Sequence, residues 1–257
     1  MTWGTFSNTH IATLVLGFAA ILIIYFVLVS KSRRSQILTL FAISLACAGG
    51  VIYTMFNSDD MVHNLPLELW SLSALLLPYA IITRHKWCCN LLLLWPVQSL
   101  ILLIFNYDKA SMNVFSVDFL IYFFTHVLIF GIPLVMFWLR LVHRNYKYIK
   151  RSLIITVLVY TAVHFANVAL GTNYLYSRGP DGNAFLAFFY TFVPEYWYMF
   201  SMLPFFMFYL GWWYLPEILD HRRKRKRLKT KLKQIDDYYD EYEDEYIDEI
   251  IEEKYGH

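Results

Sequence analysis

Apolar residues dominate the chain in long runs broken by short polar segments, at roughly 9–30, 36–56, 67–83, 88–105, 117–139, 152–170 and 186–215. Each run approaches the length, about 20 residues, that a helix needs to cross a hydrocarbon core. The pattern predicts an all-α fold, a polytopic membrane protein with about seven transmembrane helices over residues 1–219. The third run is the shortest and carries Glu68 near its start. The last is long and holds Pro194 and Pro204, which predicts a kink or a tilted entry. Beyond residue 219 the pattern inverts. Residues 222–233 hold nine Lys or Arg, and residues 236–253 hold eleven acids interleaved with Tyr238, Tyr239, Tyr242 and Tyr246.

The basic residues orient the helices. With the N-terminus outside, the inner segments collect 20 of the 22 Lys and Arg, and only Lys109 and Arg178 lie outside. The positive-inside rule therefore predicts an outer N-terminus and a cytoplasmic tail over residues 220–257, in a multi-pass protein of the plasma membrane. Met1 to Asn8 carries no positive charge and Lys-Ser-Arg-Arg follows the first run, so that run is expected to remain as a helix and not as a cleaved leader.

Composition sharpens this reading. The chain is 58% hydrophobic, 19% aromatic and 16% charged, too little charge to clothe a soluble surface. Nothing points to nucleic acid, and membrane lipid is the expected partner. Cys47, Cys88 and Cys89 all fall in or on the inner side of the membrane, so no disulfide is expected. Seven helices suggest a rhodopsin-type receptor. However, no Asp-Arg-Tyr triplet follows the third run, no Asn-Pro-x-x-Tyr lies in the seventh, and no lysine there can hold retinal. The tail reads as a stop-transfer cluster held to anionic headgroups with a solubilising acidic end, or as a docking helix that recruits a protein partner through residues 222–253. Blocks of opposite sign so close together can also pair with each other.

Polar groups inside a membrane are costly, and each is a candidate functional residue. Glu68 lies at the outer mouth of the third run, with Ser71 and Ser73 one turn deeper. Asp118, Tyr122 and His126 follow at i, i+4, i+8 on one helical face, which puts His126 about 12 Å below Asp118. Tyr160, His164, Asn167 and Gly171 share a stripe of the sixth helix, and Glu195, Tyr196 and Tyr198 open the seventh. Asp59, Asp60, Asp108 and Asp181 add to this outer half. Together they predict a polar, mildly acidic cavity open to the outer leaflet, its mouth lined by Gly171 to Tyr176. A histidine in such a bundle is often a strut between helices, and Tyr and Trp mostly form the interfacial belt. No His-Glu-x-x-His, Gly-x-Ser-x-Gly, phosphate loop or paired-cysteine motif occurs, so neither a metal nor another cofactor is expected.

The stretches NLPLELWSLSALLLPY (64–79), FFTHVLIFGIPL (123–134) and NVALGTNYLYSRGP (167–180) resemble the YwaF-type family of seven-helix integral membrane proteins. Its eukaryotic relatives are regarded as phospholipid acyltransferases. The resemblance covers about 9–215 and not the tail. It implies an acyl-enzyme pair of a cysteine on the third helix and a histidine on the fifth. His126 matches the histidine, whereas Trp70 stands at the cysteine and Glu68 two residues before it. In that reading the protein transfers an acyl group on a phospholipid or lipid-linked substrate at the outer leaflet. His126 is then base or acid, Glu68 or Asp118 orients it, and Ser71 or Ser73 replaces the nucleophile. His164, Asn167, Asn173, Tyr174, Glu195 and Trp70 would line the substrate site or hold an oxyanion. The alternative is a non-catalytic lipid-binding or assembly subunit that recruits its partner through the charged tail.

Overall fold

The computed structural model describes residues 2–4, 6–58, 60–105, 111–181, 187–188, 190–200 and 203–255. Asp59 and Asp108 lie outside the described residues, as do the side chains of Glu195 and Tyr196. The α-helices of the described chain are α1 (Asn8–Val29), α2 (Arg33–Phe56), α3 (Leu69–Thr83), α4 (Lys86–Leu91), α5 (Val97–Phe105), α6 (Val117–Trp138), α7 (Ile149–Leu170) and α8 (Leu203–Tyr255). Serines start three of them. Ser7, Ser32 and Ser116 each accept a hydrogen bond from a first-turn backbone N–H of α1, α2 and α6. Gly171, at φ 74°, ends α7 in the left-handed conformation.

Among the described residues, four helices are long and apolar enough to cross a membrane, at Asn8–Val29, Arg33–Phe56, Val117–Trp138 and Tyr146–Leu170, and the apolar α3 is shorter. Burial ranks them. In α6, 61% of the apolar window is buried, against 17% to 22% in the other three, so α6 is the central helix. It packs against α1, α2, α3 and α5. The outer faces of α1 and α2 leave Val15, Leu16, Ile23, Phe26 and Phe56 exposed, an apolar surface suited to lipid and not to water.

Small residues set the central spacing. A Cβ on Gly131 of α6 would meet Ile21 Cγ1 of α1 at 2.5 Å, and one on Gly17 would meet Val127 Cγ2 at 2.8 Å. Glycine at both positions lets the two helices approach to this distance.

The apolar runs 88–105 and 186–215 do not form single helices. In the first, α4 ends at Leu91, turns occupy 92–96, and α5 starts at Val97. Pro96 has no N–H to continue the ladder and biases Trp95 away from helical geometry. Non-helical backbone at membrane depth persists only where protein surrounds it. Residues 91–97 are all buried, Tyr209 O–H donates to Leu93 O at 3.0 Å, and Trp95 Nε1 donates to Thr156 Oγ1 at 2.9 Å. Asn90 ties this break to the loop after α6 by accepting from Asn145 N at 2.9 Å. In the second run, a 3₁₀ turn over Glu195–Phe200 follows Pro194 before α8 begins.

Contacts divide the chain into two units, Met1–Leu210 and Gly211–His257. The second is the continuation of α8, exposed from Leu219 to Lys231, with an i,i+4 ion pair from Lys224 to Asp220 at 2.7 Å. Lys224 holds the Asp220 carboxyl below the usual carboxylate range. Because α8 runs unbroken to Tyr255, the centres of the basic and acidic blocks of one tail lie about 25 Å apart along the helix.

Candidate functional site

His126 is fully buried on α6. Its Nδ1–H donates to the Tyr122 carbonyl one turn earlier at 2.8 Å, so in the neutral ring the lone pair is on the buried Nε2. Two aromatic rings cover it. The Tyr122 centroid lies 4.1 Å away and that of Trp70, from α3, 4.4 Å away. Trp3, also fully buried, sits 6.0 Å from Tyr122 and 5.0 Å from Phe119.

The N-terminal segment holds Trp3 there. Trp3 N donates to Met112 O at 3.0 Å, and its indole Nε1 donates to Thr13 Oγ1 at 2.6 Å. His10 fixes the next turn. Its Nδ1 accepts from Phe6 N at 2.9 Å, so Nε2 carries the proton given to Leu103 O at 2.7 Å. Sequence reasoning missed Trp3 and His10, since a single aromatic near the N-terminus reads as interfacial belt.

The serines have local engagements. Ser71 Oγ donates to Glu68 O at 2.8 Å and Ser73 Oγ to Leu69 O at 2.6 Å, both back along their own segment. Asp118 shares the α6 face with Tyr122 and His126, as its spacing predicts, but is exposed in the first turn, where a carboxylate suits the helix dipole.

A second cluster gathers around the 172–178 loop. Asn167 is fully buried and uses both ends of its amide. Nδ2 donates to Tyr174 O and to Ser177 Oγ, each at 2.8 Å. Oδ1 accepts from Thr172 Oγ1 at 2.8 Å and Tyr174 N at 2.9 Å. His164, half-buried one turn before, places Nδ1 3.2 Å from Ser177 Oγ. Asn173 donates to Gly179 O at 3.0 Å and accepts from Arg178 N at 2.8 Å. The Tyr174 hydroxyl donates to Val62 O at 2.5 Å and accepts from Leu65 N at 2.7 Å, bridging to the segment before α3. Burial pushes its phenol above the ordinary range and keeps it a neutral donor.

Leu175 and Tyr176 both take positive φ, 57° and 53°, an uncommon pair for residues with side chains. That turn directs the Leu175 N–H onto Glu68 Oε1 at 3.0 Å. The next amide, Tyr176 N–H, turns back and donates to Asn173 O at 3.1 Å. Arg178 closes the loop by donating to Thr172 O at 3.2 Å. Ser177 and Arg178 were not singled out as site residues from sequence, although they follow directly on the GTNYLY stretch, which holds Thr172 and was.

The structure thus brings Trp70 to His126 and Glu68 to the 172–178 loop. It describes no group of three His, Cys, Asp or Glu side chains suited to a metal among the described residues. A family model, the TMEM164 family, matches residues 5–214. The chain belongs to the TMEM164 family. The match spans the helical bundle and stops before the charged part of α8, so the membrane region is the family's part of the molecule. This TMEM164-family member is a membrane protein with several apolar helices. No curated protein and no solved structure matched the chain.

Proposed function

We propose that this chain is a non-catalytic TMEM164-family member, a lipid-binding or assembly subunit of the membrane that recruits a partner through its charged tail. The observation that carries it is the stacking of Trp70 on His126, centroids 4.4 Å apart. By the YwaF-type resemblance, Trp70 occupies the position of the nucleophilic cysteine. An indole N–H is far too weak an acid to surrender its proton to an imidazole, and its nitrogen lone pair belongs to the aromatic ring and does not attack an acyl carbonyl. Ser71 and Ser73 direct their hydroxyl protons to backbone carbonyls of their own segment.

A second reading, the acyltransferase of the outer leaflet, draws on the His126 tautomer. A ring held by its Nδ1–H with the lone pair on Nε2 has the form a general base needs. In that reading Glu68 or Asp118 orients His126, Ser71 or Ser73 is the nucleophile, and His164, Asn167, Asn173, Tyr174, Glu195 and Trp70 line the substrate side.

Reconstitution separates the two. The full chain in liposomes is given a phospholipid with one labelled acyl chain and an unlabelled acceptor lipid, beside His126→Gln. The non-catalytic reading expects the same background transfer from both proteins. Transfer by the wild type that His126→Gln abolishes, at unchanged yield, would establish the acyltransferase instead.

A further inference from the structure

The charged part of α8 carries an apolar stripe that its blocks of charge conceal. Leu228, Leu232, Ile235, Tyr239, Tyr242 and Tyr246 follow one another at spacings of 4, 3, 4, 3 and 4 residues. On a continuous helix this alternation keeps all six on one seam, and it is the repeat of a coiled coil. Leu228, the first of the six, is 60% exposed. Between the seam positions nearly every residue from 229 to 249 is charged or polar, so the stripe is narrow and bounded.

We infer that the seam pairs with the same seam of a second copy of this chain, running antiparallel. Charge decides the direction. With Asp237 at the centre, antiparallel register layers Leu228 on Tyr246, Leu232 on Tyr242 and Ile235 on Tyr239, then repeats these layers by symmetry. The same register sets Lys229 opposite Glu243 and Lys231 opposite Glu245, the positions that flank the layers. Parallel pairing would instead face the block of nine basic residues with its own copy and the eleven acids with theirs. Like charges opposed over such a length are repulsive, whereas the antiparallel arrangement brings each block onto its complement. Only the central Asp236 meets its own kind in this register.

The inference rests on the assembly reading of the tail and names its partner. The test uses the full chain in mild detergent, where no shared bilayer fixes the two tails in the same sense, with the buried Cys47, Cys88 and Cys89 left in place. Leu228→Cys and Tyr246→Cys are prepared separately, mixed and oxidised. Antiparallel pairing gives a disulfide dimer in the mixture and none from either variant alone. A dimer from Leu228→Cys alone would mean parallel pairing, and no dimer in any sample would remove the pairing altogether. Native mass measurement guards against a seam weakened by cysteine. Lys229→Glu with Lys231→Glu should lower the dimer fraction at least tenfold, and adding Glu243→Lys with Glu245→Lys should restore it. A dimer fraction indifferent to both changes would overturn the inference. Because neither assay reads acyl transfer, their failure leaves the reading of His126 and Trp70 untouched.

Discussion

Trp70 of α3 and His126 of α6 meet ring to ring, with centroids 4.4 Å apart and planes inclined by 34°. The pair joins two helices that the sequence separates by more than fifty residues, and it makes His126 part of the packing between them. His126→Gln should therefore destabilise the bundle by about 0.5–1.5 kcal/mol, the range of an aromatic ring pair beyond its area burial. Thermal unfolding in detergent measures this. An unchanged midpoint would show that the ring does not support the packing.

Asn167 makes four hydrogen bonds from a fully buried amide, while Asn173 makes two from a half-buried one. Removing the first leaves Tyr174 N and O without their partner in the protein interior. Asn167→Ala should cost on the order of 3 kcal/mol and Asn173→Ala about 1 kcal/mol. Equal losses in the same unfolding assay would contradict the picture of Asn167 as the organiser of the loop.

The close approach of α1 and α6 depends on Gly131, where a Cβ would meet Ile21 Cγ1 at 2.5 Å. The contact is with the base of the Ile21 side chain, so the backbones must separate. Gly131→Ala should destabilise by about 1–3 kcal/mol, the usual cost of overpacking, and Ile21→Ala introduced with it should recover part of that loss. Additive losses would refute the clash.

Asp60 accepts from His63 N at 3.1 Å, and that amide is the main cause of its carboxyl titrating below the ordinary 3.8. A carboxyl depressed in the fold stabilises it above the unfolded pKa and ceases to do so as pH falls through the folded value. The 60–63 turn should thus be intact at neutral pH and loosen only in acid, below about pH 4. The His63 amide resonance should move through that window in the wild type and stay flat in Asp60→Asn. Movement centred above pH 5 would assign the transition to another group.

Much of the helical order was legible because hydrophobic runs of spanning length leave few alternatives. The interruptions were less so. Pro96 lay in full view inside the run 88–105, yet a proline in a membrane helix is compatible with a kink as well as with a break. What decides for the break is that Tyr209, distant in sequence, supplies the hydrogen bond that Leu93 O takes there, while Thr156 anchors the Trp95 side chain. The candidate site divides in the same way. The i, i+4, i+8 spacing placed Asp118, Tyr122 and His126 on one face, because helix geometry alone fixes that. It carried no information on Trp3 reaching Tyr122, nor on the left-handed turn at Leu175 that turns Glu68 from a mouth residue into a loop anchor.

The central claim is that Trp70 occupies the place of a nucleophile. The most direct measurement is mass spectrometry of residue 70 in the full-length Trp70→Cys protein after incubation with phospholipid, beside the wild type. Trp70→Cys sets a thiol against His126, and a thioester there is cleaved by hydroxylamine. The account predicts a hydroxylamine-sensitive acyl group on residue 70 of Trp70→Cys and no acyl adduct anywhere on the wild type. An adduct on Ser71 or Ser73 of the wild-type protein would contradict it.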